Sequence, residues 1–163
     1  MNKYQILEFD GNDCSFNWDE IAGNPAAPMN PRTSVSAFKN KLKHMISSTK
    51  DSGLTPVLVS FPPLDLNNYY DYVTRGRNAE GRKNILQWLG GSLDFLSEWF
   101  ELYNSEIYEL GAENNVPVVD ITPGFKASSD ETLLRDGICP SEAGRKLIAD
   151  TVNAALGAGE NAA

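Results

Sequence analysis

Two short segments of this 163-residue chain hold the residue types best suited to chemistry. Near the start, Phe9-Asp10-Gly11-Asn12-Asp13-Cys14 follows an apolar run; toward the end stands Asp136-Gly137-Ile138-Cys139-Pro140-Ser141-Glu142-Ala143-Gly144. A side-chain amide such as that of Asn12 can donate a fixed N–H to developing negative charge without being charged itself, or it can simply shape a turn. Asp136, directly ahead of Gly137, reads as a turn or capping carboxylate. Cys139 is a poor general base, because a thiol titrates near about 8.5 against about 6.5 for imidazole, and a neighbouring carboxylate disfavours the thiolate further. The single histidine, His44, lies among Lys41, Lys43 and Met45 in a charged helical stretch, which fits a surface position away from both segments.

The order and separation of the two segments resemble those of the SGNH/GDSL ester hydrolases, in which a Gly-x-Asn-Asp turn precedes a loop carrying an Asp and, three residues later, a His. Ser60-Phe61-Pro62-Pro63-Leu64 and Asn84-Ile85-Leu86-Gln87-Trp88-Leu89-Gly90 also resemble segments of one bacterial branch of that family, so the likeness covers nearly the whole chain. The resemblance implies that the Asn12 amide donates to a tetrahedral oxyanion, with Gly11 and Asp13 flanking it at the substrate. It implies that Asp136 is the carboxylate that orients the triad imidazole, and that Cys139 stands where that imidazole belongs. Tyr69, Tyr70, Tyr72, Trp88 and Trp99 fall in a stretch that either lines the substrate pocket, Trp88 foremost, or packs as core. A small α/β enzyme acting on an ester through an acyl-enzyme, with no cofactor and no metal, is the implied activity.

The same family carries a Gly-Asp-Ser-Leu nucleophile and a glycine oxyanion donor upstream of its Asn turn, whereas this chain reaches Asn12 almost at once. The expectation is a chain that begins partway into the usual domain and lacks its first two strands. Gly90-Gly91-Ser92-Leu93 resembles the nucleophile motif but lies downstream, in a helical region, where two glycines read as a break between helices. Without serine and histidine in place, such a chain is expected to hydrolyse esters weakly or not at all. The alternative is a non-catalytic binding or interaction module derived from the same fold.

The elements that must position these residues follow from hydrophobic patterning. Tyr4–Phe9, Thr55–Phe61 and Val116–Ile121 are short, branched and apolar, as buried parallel strands are. Val35, Phe38, Leu42, Met45 and Ile46 recur at helical spacing, with Gly53 as a stop. Leu96, Trp99, Phe100, Tyr103, Ile107 and Leu110 form a second stripe, closed by Gly111 or by the Asn pair that follows. Leu147, Ile148, Val152 and Leu156 mark a last helix with Ser141 as its N-cap. Alternating strands and helices predict a three-layer α/β/α domain with a parallel sheet over residues 1–156, and a fraying tail at 157–163. The resemblance implies a flavodoxin-like sheet of order 2-1-3-4-5. Loss of the first two strands would leave residues 4–9 as an edge strand, open to a homodimer or another partner.

Composition sets outer bounds. With 41% hydrophobic residues, the chain can bury a single core amounting to roughly 70% of its unfolded surface. A net charge of −8 disfavours nucleic acid and anionic membranes as partners, leaving a small-molecule ester as the implied ligand. No apolar run reaches membrane-spanning length. Two cysteines without metal-ligand spacing fit a reducing, cytoplasmic compartment, and a Cys14–Cys139 disulfide is the minor alternative. An export signal upstream of a truncated start would leave no trace in this sequence.

Overall fold

The structure, a computed structural model, describes residues 3–9, 11–128 and 132–160; Asp10 and the last three residues of the expected tail lie outside it. Three strands, β1 (Tyr4–Leu7), β2 (Thr55–Val59) and β3 (Val118–Val119), form a parallel sheet in the order β1-β2-β3. The register pairs Tyr4 with Thr55, Leu7 with Leu58, and Leu58 with Val118. Around them run α1 (Trp18–Gly23), α2 (Val35–Asp51), α3 (Leu66–Thr74), α4 (Ala79–Trp88), α5 (Asp94–Asn114), α6 (Thr122–Ala127) and α7 (Glu142–Glu160). No helix among the described residues is long and apolar enough to cross a membrane.

The layers follow from the two-residue period of the strands. Leu7 and Leu58 enter one core with Phe38, Leu42 and Ile46 of α2 and Leu96, Tyr103 and Ile107 of α5. Val57, Val59 and Val119 face the other way, against Phe125 of α6 and Ile148 and Val152 of α7. The domain is thus three-layer α/β/α. The helical stripes read from the sequence are the buried faces of α2, α5 and α7, and the Ser141 hydroxyl accepts the Gly144 N–H (3.1 Å) at the start of α7. That helix runs to Glu160, four residues into the segment expected to fray.

All three strands are shorter than their apolar runs, and the start of β3 is set by local bonding. Val116 N–H closes α5 on Gly111 O (2.8 Å), and Pro117 has only a carbonyl to offer, which accepts from Leu58 N–H (2.9 Å). Of the two helix stops left open by the sequence, the Asn pair is used. Asn115 adopts the left-handed conformation (φ 51°), while Gly111 sits inside α5, where an added Cβ would lie 2.5 Å from Val118 Cγ2. The glycine lets α5 lie close on β3. The short helices α1, α3, α4 and α6 are additions that the apolar stripes did not reveal, although Asn17, Asp65 and Asn78 each cap one by accepting a backbone N–H.

The outgoing ends of β2 and β3 are clamped together by side chains. Ser60 Oγ donates to Asp120 Oδ1 (3.3 Å) and accepts from Ile121 N–H (3.0 Å), while Asp120 Oδ1 also accepts from Thr122 N–H (2.9 Å). Burial opposes the charged form of Asp120, but hydrogen bonds from Thr122, Ser60 and the Tyr108 hydroxyl outweigh it and hold the carboxyl below its ordinary value. A depressed folded pKa contributes stability that is present above the unfolded value of about 4 and lost as pH falls through the folded one. Asp120→Asn is therefore expected to show a smaller drop in unfolding free energy between neutral and strongly acidic pH than the unaltered chain, measured by urea denaturation across that range.

Candidate active site

Asn12 stands on a 3₁₀ turn, Gly11–Cys14, at the outgoing end of β1. Several long-range bonds fix this turn. Trp99 Nε1 of α5 donates to Cys14 O (2.8 Å), and the returning loop donates Arg32 N–H to Ser15 O (2.8 Å) and Thr33 N–H to Asp13 O (3.1 Å). Tyr103 of α5 in turn holds that loop by donating its hydroxyl to Thr33 O. Burial pushes the Tyr103 phenol far above its ordinary value, so it stays a donor at any physiological pH. Gly11 is buried with its backbone against Phe100 and Ile138.

The second loop reaches the same place from the far end of the chain. Gly137 has φ 87°, and an added Cβ there would lie 2.5 Å from both Asp65 O and Tyr69 N, so only glycine lets the loop settle on the first turn of α3. Gly137 O accepts Asp65 N–H (2.9 Å), tying the two segments together. Asp136 Oδ1 then folds the loop on itself by accepting Cys139 N–H (2.7 Å) and Ile138 N–H (3.1 Å). The result is a contact between residues 127 positions apart, in which Asn12 Nδ2 donates to Cys139 Sγ at 3.6 Å. Cys139 is 7% exposed and Cys14 fully buried, and both are reduced.

Asn12, Asp136, Cys139 and Gly11 are thus brought together, while two other expected site residues are engaged elsewhere. Asp13 turns its carboxylate to Thr33 Oγ1 (3.4 Å) and Lys41 Nζ (3.3 Å). Trp88 packs edge-on against Phe16, Trp18 and Phe95 and donates its indole N–H to Ala27 O (2.8 Å). Ser92 Oγ starts α5 by accepting Asp94 N–H (3.3 Å) and bonding Asp94 Oδ2 (3.1 Å), and His44 is an exposed residue of α2.

Two cavities open beside this meeting point. One, of about 270 Å³, is bounded by Gly11, Ser60, Cys139, Glu8 and Arg145. Burial pushes the Glu8 carboxyl up, opposed by the positive charge of Arg145. The other, of about 380 Å³, opens from Asn12 toward α1 and α3. Neither Glu8 nor Arg145 was signalled by the sequence, since nothing in a Leu-Glu-Phe strand end marks the one that turns toward a distant loop.

No family model and no curated protein matches the chain. Solved structures do. A lipase/acylhydrolase from Enterococcus faecalis matches with a TM-score of 0.55 at 19% identity, over 90% of this chain and 57% of the other. A GDSL-like lipase from Bacteroides thetaiotaomicron matches with 0.53 at 13%, over 94% and 62%. A catalytic mutant of an acetylxylan esterase from Geobacillus stearothermophilus matches with 0.54 at 16%, over 92% and 57%. The chain has the fold of the SGNH/GDSL hydrolases. It spans about three-fifths of the length of these structures.

Removing the Asp136 carboxylate strips the acceptor from two loop N–H groups. Asp136→Ala is expected to lower unfolding free energy by about 1–3 kcal/mol, with Asp136→Asn, which keeps an oxygen acceptor, costing less. Chemical denaturation measures this. A thiol reagent should also label Cys139 faster in the Ala variant while Cys14 stays protected.

Proposed function

We propose that this chain is a carboxyl-ester hydrolase domain of the SGNH/GDSL type whose own catalysis is weak. The approach of Asn12 Nδ2 to Cys139 Sγ, with Asp136 holding the Cys139 N–H, carries this reading. An amide donor, a loop carboxylate and the position between them converge as acyl transfer requires, where a tetrahedral oxyanion needs a neutral donor and the attacking hydroxyl needs a base. The position of the base is filled by a thiol. Loss of the histidine alone from a Ser-His-Asp unit costs about a millionfold in turnover. The likeness to a lipase/acylhydrolase, a GDSL-like lipase and an acetylxylan esterase supports an acyl ester as the substrate class. Of the two serines the sequence and cavity bring forward, Ser60 is committed to Asp120 and Ile121, and Ser92 to the start of α5.

Hydrolysis of p-nitrophenyl acetate tests the reading. The chain is expected to stay near the buffer rate, and so is Cys139→His, because a base with no nucleophile to deprotonate restores no acyl transfer; Cys139→His joined to an upstream Gly-Asp-Ser-Leu segment is expected to raise it. Asn12→Ala should then remove most of that gain, because an oxyanion donor contributes about a hundredfold or more. No gain from that joined form counts against a hydrolase site here. Rapid turnover by the unaltered chain, with a serine-directed fluorophosphonate bound covalently, overturns weak catalysis.

A second reading, an interaction module, is favoured by β1, which lies at the edge of the described sheet with Gln5 exposed and Ile6 40% exposed. An edge strand can accept another strand through its unpaired backbone groups. This reading expects a dimer in sedimentation velocity that Ile6→Lys dissociates; a monomer at all concentrations removes it.

A further inference from the structure

We propose that the cavity opening from Asn12 toward α1 and α3 binds the oxyanion group, carboxylate or phosphate, of a small molecule. This builds on the hydrolase reading by giving the substrate a charge, yet binding can occur and be measured without catalysis.

Charge placement is the first argument. In a chain of net charge −8, three arginines, Arg32, Arg75 and Arg77, border this cavity, with Asp19 the only carboxylate among its described lining residues, so the described lining is net positive. Arg77 is occupied, pairing with Asp19 (2.8 Å) and donating Nε–H to Val73 O (2.8 Å). Arg32 and Arg75 have no ion-pair partner among the described residues. Two guanidiniums without an ion-pair partner among the described residues, beside a third, make a local field opposite in sign to the net charge of the chain. Guanidinium forks match the geometry of carboxylate and phosphate oxygens.

The buried floor supplies the second argument. Ser15 Oγ and Tyr69 OH lie 3.1 Å apart, and Trp18 Nε1–H is shared between them at 3.2 Å each. Two hydroxyls bonded to each other use one proton between them, and Trp18 brings only a donor. One hydroxyl proton is therefore left over at a site where Ser15 is 6% and Tyr69 1% exposed, and both line the cavity. Buried donors ordinarily have partners. Burial also pushes the Tyr69 phenol up, so its proton stays in place. With three guanidiniums against the one carboxylate of Asp19, the charged groups of the described lining are mainly donors, which favours an anion over a neutral sugar. At about 380 Å³ the space falls within the range of small-ligand sites, roughly 300–1,000 Å³.

The test is calorimetric titration of the full chain with glucose 6-phosphate, glucuronate and glucose. One or both acidic sugars are expected to bind, the pattern telling phosphate from carboxylate, and glucose is not. Affinity should fall as salt is raised. Arg32→Ala and Arg75→Ala should each weaken binding about tenfold, the size of one charge-assisted hydrogen bond. Both side chains are exposed, so a thermal melt should confirm that the variants remain folded. Failure of both anions to bind, equal binding of glucose, or unchanged affinity in the double variant overturns the proposal. Anion binding with no gain in hydrolysis by the joined Cys139→His form leaves the cavity's role standing and counts against the hydrolase reading; such a gain without anion binding does the reverse.

Discussion

The close approach of Gly137 to the first turn of α3 is the constraint on which the site depends. Any side chain at that position would overlap the backbone of Asp65 and Tyr69, and the left-handed φ of 87° already favours glycine. From this contact the geometry spreads in two directions. Asp136 curls the loop so that Cys139 faces Asn12, and Tyr69, on the same turn of α3, carries its hydroxyl into the Ser15 and Trp18 cluster behind the Asn12 turn. One helix end thus positions both loops, so a shift of α3 would move donor and acceptor together.

The helices that pack over the sheet on this side hold the Asn12 turn by its backbone carbonyls. Trp99 and Tyr103 reach from α5 to Cys14 O and Thr33 O, and their rings join a cluster with Phe16, Phe95 and Phe38. An aromatic with a polar tip combines large apolar burial with one directional bond, so these residues set distance and orientation at once. This explains why a stretch dense in Tyr and Trp serves as scaffold for the site. Tyr69, which also lines a cavity, shows that the two roles meet at a single side chain.

Position and chemistry are separable in this loop. Asp136 makes its bonds to the N–H groups of Ile138 and Cys139, and these stabilise the turn whatever side chain occupies position 139. The turn thus tolerates different side chains at position 139, and a thiol and an imidazole placed there would differ mainly in their capacity for proton transfer. The electrostatic character of the surroundings is likewise independent of the overall composition: an acidic chain carries an arginine-bordered cavity because net charge is a sum and a cavity samples only its lining.

Much was determined within the sequence itself, wherever the deciding interaction spans a few residues. The helical stripe of Phe38, Leu42 and Ile46, the apolar strand run through Val57, Leu58 and Val59, the Ser141 cap, and the two glycines after Leu89 are all local patterns, and each has its counterpart in the structure. The pairing of the Asn12 and Asp136 loops was legible only through resemblance, and the strand ends only approximately, since Pro117 and the Ser60–Asp120 clamp decide where pairing stops. Tertiary structure alone decided that Trp88 faces Ala27, that Asp13 turns to Lys41, and that Arg32, Arg75 and Arg77 border one cavity with Asn12. Caps and periodic faces are written in neighbouring residues, whereas the convergence of side chains from distant segments depends on how whole helices pack, a sum of many small contacts that no short stretch of sequence contains.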